Sequence, residues 1–261
     1  MKSTQPNALE RAAGELHPAG HRFGQNSAVN HAAALALRSS LFSGASLPAC
    51  KEIVSAAQEK KFESAQVIFC QGDSVRHVLL LTSGCVKLLQ VGANGHEVML
   101  RLSGPGELIG VAESHIRNRN STARAQQPCT ALAWDISTFE TIFERHTFLR
   151  RNMLNMLLQY LEDMHERFRE ISTERVAARL SSQILRMMHQ VGRQVNGGIE
   201  ISISREELAQ LVGTTLFTVS RLLSDWDRQG IVVARREAVS VRNLRALADL
   251  SETAAQLPVK W

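Results

Sequence analysis

Ser204-Arg-Glu-Glu-Leu-Ala-Gln-Leu-Val-Gly213-Thr-Thr-Leu-Phe-Thr-Val-Ser-Arg221-Leu-Leu223 is the stretch on which the fold turns. Ser204 followed three residues later by Glu207 is a capping box, in which hydroxyl and carboxylate each satisfy a backbone N–H that the first helical turn leaves open. Gly213 ends that helix, because a residue without a Cβ takes the left-handed conformation of a helix C-terminus at little cost. Thr214 to Thr218 restart a second helix, with Val219, Leu222, Leu223 and Trp226 along one face and Gly230 closing it. Two short helices thus meet across a tight turn. Next, Ile231-Val-Val-Ala234, Arg235-Arg236-Glu237 and Ala238-Val-Ser-Val-Arg242 read as strand, basic turn and strand. The spacing predicts a winged helix-turn-helix over 173–250, followed by a tail over 251–261.

Working back from this module, the segment 137–172 carries Leu154, Leu157, Leu161, Met164, Phe168 and Ile171 at spacings of three, four, three, four and three. That period is the seam of a coiled coil. A helix lying on its own domain is the plainer use of an apolar stripe. Here Arg150, Glu162, Asp163, Glu166, Arg167 and Glu170 leave the rest of the surface polar, which favours a rod pairing with a second copy. Further back, the pattern changes to short β-type runs divided by glycine. They include Gln66-Val-Ile-Phe69, Val78-Leu-Leu-Leu81, Cys85-Val-Lys-Leu-Leu89, Glu97-Val-Met-Leu-Arg-Leu102 and Thr130-Ala-Leu-Ala-Trp134. Gly72-Asp73, Ser83-Gly84, Asn94-Gly95 and Gly104-Pro105-Gly106 read as their turns, so a β-barrel or roll is expected over 41–136. Residues 1–40 show no sustained period beyond an Ala/Leu stretch at Asn30–Leu37 that suits a local helix, and read as a flexible arm.

Composition narrows the function classes. The 261 residues, 44% hydrophobic, suffice for two cored domains, and a net charge of +5 leans towards an acidic partner without naming one. Cys50, Cys70, Cys85 and Cys129 are too scattered for a zinc site or a redox pair, so no metal is expected and the thiols read as reduced and mostly buried. Short apolar runs, and an N-terminus without a basic segment leading into an apolar one, point to the cytoplasm and away from a membrane. Enzyme motifs are missing: there is no Walker loop, no H-E-x-x-H and no G-x-S-x-G. Gly104-Pro-Gly-Glu-Leu-Ile-Gly110 approaches a dinucleotide fingerprint, but its third glycine comes one position late and its surroundings are strands and turns.

The order of roll, long helix and winged module, with Val67-Ile-Phe-Cys-Gln-Gly-Asp73, Leu81-Thr-Ser-Gly-Cys-Val-Lys87, Pro105-Gly-Glu-Leu-Ile-Gly110 and the 204–223 stretch, resembles the Crp/Fnr family of transcription regulators over about residues 45 to 245. The resemblance implies an α+β chain with an N-terminal, cyclic-nucleotide-binding-like β-roll, a dimerisation helix and a C-terminal winged helix-turn-helix. It implies a homodimer on double-stranded promoter DNA, with RNA polymerase as a further partner and a small-molecule effector, unidentified, taken by the roll. It implies that Thr215, Leu216, Phe217 and Arg221 start and line the recognition helix, and that Ser204, Arg205 and Thr218 lie near phosphates. Residue chemistry agrees, since helix N-termini hold phosphate, guanidinium binds guanine and apolar side chains meet thymine methyls. A guanine contact and a phosphate-only contact both stay open for Arg221.

The chain also departs from the family. Leu216 and Phe217 stand where a polar pair of base-reading residues is expected, so the family's operator sequence does not carry over. Cyclic-nucleotide binders of the family hold the ribose with a Gly-Glu pair and the cyclic phosphate with an Arg-Ser pair. Here these read Gly110-Val111 and Arg119-Asn120, and valine accepts no hydrogen bond. Arg119 and Asn120 are the effector-binding candidates, and cyclic AMP is not the expected ligand. With Cys50 the first cysteine, an N-terminal iron-sulfur cluster is excluded. Haem would need His77, His96, His115 or a cysteine, and the cofactor is left unknown. A roll that regulates a partner protein is the competing function, but it accounts only for the first half of the chain.

Overall fold

The structure, a computed structural model, describes residues 21–22, 26–93, 95, 97–109 and 118–251. Two long antiparallel strands, β4 (His77–Val91) and β7 (Thr122–Asp135), form the spine of the N-terminal half. Successive side chains of a strand point to opposite faces, and both strands are apolar on each face. Leu79, Leu81, Ala131 and Ala133 enter one core with Phe62, Phe69 and Ile109. Val78, Leu80, Leu132 and Trp134 enter a second core shared with helices. The outer edge of β7 carries β2 (Gln58–Phe62) and β3 (Val67–Phe69), and that of β4 carries β6 (Leu108–Ile109) and β5 (Glu97–Ser103). With β1 (His21–Arg22) on β2, the result is one seven-stranded antiparallel sheet.

The turn expected at Ser83-Gly84 is instead a bulge inside β4, where the register against β7 shifts between Leu81 and Val86. Gly84 has φ +80°, and a Cβ there would run into the Pro128 carbonyl oxygen. The glycine lets the strand bend past β7 without leaving it, so two expected strands become one.

Helices α1 (Asn26–Ala36) and α2 (Leu47–Ser55), with a 3-10 turn at Ser40–Phe42 between them, cover the second core. Ala33, Ala36, Leu41, Phe42 and Ile53 are fully buried, and Trp134 Nε1 donates to the Ile53 carbonyl at 2.8 Å. Residues 32–40, assigned from sequence to a flexible arm, therefore belong to the roll's packing. Alanines carry little periodic signal, yet their small size lets α1 lie close on the sheet. The rest of that arm, 1–20 and 23–25, and the tail beyond Ser251 lie outside the described residues.

The helix expected over 137–172 is two: α3 (Ile136–Arg145) and α4 (Thr147–Thr173), parted at His146, whose backbone is extended. The first turns of α4 are anchored by buried Leu149, Asn152 and Met153, with Asn152 Nδ2 donating to the carbonyls of Leu41 (2.8 Å) and Ser43 (2.9 Å). Beyond α4 come α5 (Val176–Val191), β8 (Arg193–Val195), β9 (Gly198–Ile201), α6 (Arg205–Val212), α7 (Leu216–Arg228), β10 (Val232–Ala234), β11 (Val239–Val241) and α8 (Leu244–Asp249). The wing hairpin β10–β11 is extended by β9 and β8 into a four-stranded sheet. Leu180, Ile184, Leu208, Val219, Leu223 and Trp226 fill this module's core, which continues into Cys85, Leu89, Met99 and Leu102 of the roll. Among the described residues no helix is long and apolar enough to cross a membrane.

Candidate nucleic-acid interface

The capping box forms as read: Ser204 Oγ accepts from the Glu207 N–H at 3.2 Å, and the Glu207 carboxylate accepts from the Ser204 N–H at 2.9 Å. Gly213 closes α6 in the left-handed conformation at φ 68°, and Thr215 caps α7 by accepting from the Thr218 N–H at 3.2 Å. With both ends set, α7 turns Val219, Leu223 and Trp226 into the core. At 100° per residue, Phe217 and Arg221 then project from the opposite side. Phe217 is 76% exposed and Leu216, on the first turn, 50%. Leu222, expected on the core face, is only partly buried.

Arg221 is exposed and has no ion pair among the described residues, whereas four other arginines of the module do. Arg235 and Arg193 approach Glu200 at 3.3 and 3.8 Å, Arg236 lies 3.8 Å from Glu237, and Arg228 pairs with Asp225. Thr215, Leu216, Phe217, Thr218 and Arg221 are thereby gathered at the start and outer side of α7. Ser204 and Arg205 sit elsewhere, at the start of α6, and the Ser204 hydroxyl is already taken by its cap.

Contacts that the motifs did not announce join α6 to the roll. Lys87 Nζ donates to Glu207 Oε1 at 2.8 Å, Gln126 Nε2 lies 3.4 Å from Glu207 Oε2, and the Met99 N–H donates to Gln210 Oε1 at 3.1 Å. Burial alone would push the Glu207 carboxyl up, but the Lys87 ammonium and the N–H and hydroxyl of Ser204 together hold it below the usual range. No local pattern announces a pair 120 residues apart in the chain.

In the roll, Arg119 is 4% exposed. Its Nη2 donates to the His77 carbonyl at 2.7 Å, and its guanidinium lies 4.1 Å from the Phe69 ring centroid. Asn120 is exposed, and its carbonyl accepts from Gln90 Nε2 at 3.1 Å. Arg119 is thus met by a main-chain carbonyl and an aromatic ring of the roll. Gly110-Val111, His96 and His115 lie outside the described residues. His77 Nε2 is engaged by Asp135 at 3.2 Å and Lys60 at 3.3 Å; burial, then the Lys60 charge, lowers its pKa against the pull of Asp135. On α4, Leu154, Leu157, Leu161, Met164, Phe168 and Ile171 are all open, at exposures from 43% to 73%.

Comparison with known proteins gives two family matches, the cyclic nucleotide-binding domain over residues 59–146 and the Crp-like helix-turn-helix domain over residues 174–250. A cyclic AMP receptor protein of Thermus thermophilus is 28% identical over 214 residues, 82% of this chain and 97% of the relative. A CRP-like cAMP-activated global transcriptional regulator of Mycobacterium tuberculosis is 22% identical over 214 residues, 81% of this chain and 96% of the relative. In fold, the c-di-GMP responsive global regulator CLP of Xanthomonas campestris matches with a TM-score of 0.64 at 18% identity, over 75% of this chain and 99% of that one.

Proposed function

The chain belongs to the Crp/Fnr family of DNA-binding transcription regulators, and from this premise we propose that each copy of a homodimer sets α7 into the major groove of promoter DNA while the two α4 helices join the copies. The observation that carries this reading is the outer side of α7, where Phe217 and unpaired Arg221 stand open opposite a filled core. Thr215 and Thr218 stand at the helix N-terminus, whose open N–H groups suit a phosphate oxygen, while their own hydroxyls meet each other at 3.0 Å. Ser204 and Arg205 have the weaker claim, because they lie at the end of α6 that is tied to the roll. Labour divides accordingly: the roll takes an effector, α4 joins the copies and 173–250 reads DNA, with RNA polymerase as the further partner and the cytoplasm as the place of work.

The effector is left open, since the relatives' names attach cyclic AMP and c-di-GMP to the same fold. The engaged Arg119 and the valine at position 111 both argue against cyclic AMP. A roll that regulates a partner protein is not favoured, because it leaves 174–250 without a task.

Selection of bound sequences from random DNA, repeated over a salt series, tests the proposal. Enrichment of a two-fold symmetric sequence, with affinity falling steeply as salt rises through counterion release, is the expected result. Salt-insensitive binding or the absence of any enriched sequence would refute it.

A further inference from the structure

We propose that Phe217, with Leu216 beside it, reads the 5-methyl group of a pyrimidine in the major groove, within about two base pairs of the point that Arg221 reaches. The proposal rests on α7 being the recognition helix and goes on to state what its first turn recognises. Both side chains are exposed while the module's core is filled by Val219, Leu223 and Trp226, so packing among the described residues does not explain them. Base edges in the major groove differ by hydrogen-bond donors, acceptors and one apolar feature, the methyl on C5 of thymine. Phenylalanine and leucine have no polar atom with which to tell donors from acceptors. The methyl is the one base-edge feature left for them to select, and 5-methylcytosine presents the same group at the same place. Arg221 lies four residues on from Phe217, on the same side of α7 and about 6 Å further along its axis. Base pairs rise by about 3.4 Å, so a helix lying along the groove sets the two side chains about two steps apart.

The expected size follows from burial of one methyl group against an apolar side chain, about a fourfold change in affinity for each half-site. A two-fold dimer presents Phe217 twice, which gives about sixteenfold when both half-sites are altered.

The test uses the full chain and the sequence it enriches from random DNA. Each symmetric pair of thymines is replaced by uracil, which lacks only the methyl, and binding is measured at fixed salt. The expected result is one thymine pair whose replacement weakens wild-type binding by about sixteenfold, while Phe217→Ala binds the thymine and uracil sites equally. Sites with cytosine or 5-methylcytosine at that position separate the sources: 5-methylcytosine binding between cytosine and thymine identifies thymine as the ligand, and 5-methylcytosine binding above thymine identifies the methylated base. The uracil scan of the wild-type chain needs no variant, and Leu216→Ala serves as a second if Phe217→Ala fails to fold. Indifference to uracil at every thymine overturns the proposal and leaves DNA binding intact. So does an unchanged uracil penalty in Phe217→Ala, or its conversion to monomers, which would make the patch a protein contact. If no sequence is enriched, the DNA-binding reading and this one fall together.

Discussion

Arg221 separates two kinds of DNA contact that geometry alone leaves equivalent. Arg221→Ala is expected to weaken operator binding by about 1–3 kcal/mol. If the guanidinium reads guanine, preference relaxes at one symmetric pair of base positions, about 34–36 Å apart in the two half-sites. Binding profiles over a library of single-base operator variants check this; a uniform loss across all sequences would make Arg221 a phosphate contact. Arg119 illustrates the opposite lesson, for its identity is legible in sequence and its use is not. Its guanidinium meets the His77 main-chain carbonyl and the Phe69 ring, groups that the sheet brings in from other strands. Cyclic AMP is therefore expected to leave operator affinity unchanged at physiological concentration. A calorimetric titration showing saturable micromolar binding, with a matching change in operator affinity, would reverse that expectation and return Arg119 to the phosphate.

For α4, the heptad-like spacing is readable because one apolar stripe stands out on an otherwise polar helix, and its six residues lie exposed in the structure. The break at His146 is not; there the backbone is extended, and α4 restarts with Asn152 bonded to the Leu41 and Ser43 carbonyls, groups 111 and 109 residues away in the chain. Leu161 sits mid-seam and exposed in the single chain. Leu161→Glu would bury a carboxylate without a partner in the dimer, at a cost of several kcal/mol. Monomers are expected by analytical ultracentrifugation, with operator affinity lost alongside. A variant still dimeric at low micromolar concentration would show that the copies join through another surface. Gly84 and α1 mark the limits of reading elements from sequence. A glycine at positive φ serves a turn or a bulge equally, and an alanine-rich helix looks like an arm until a sheet is there to receive it.

On the scale of the whole molecule, the roll and the winged module share one core and a half-buried ion pair, Lys87–Glu207. Because the Glu207 pKa is depressed in the folded chain, its ionised form adds stability above the unfolded carboxylate value, and that contribution is lost as pH falls through the folded value. Glu207→Gln keeps a capping box of the permitted type while removing the charge. It should be less stable than wild type by about 1 kcal/mol at neutral pH, and the two should converge in acid, below the usual carboxylate range. Thermal unfolding followed across pH checks this; a gap independent of pH would mean that the carboxylate acts only as a cap. By itself, the sequence determined the order of roll, helix and winged module, the bounds of α6 and α7 and the residues at the start of α7. Those features are written in caps, glycines and short-range periods, which neighbouring residues decide between themselves. Only the tertiary structure decided that Arg119 is enclosed, that α1 belongs to the core and that α6 is tied to the roll through Lys87 and Met99. These depend on groups far apart in the chain coming into contact, and such contacts leave no local trace in the order of the amino acids.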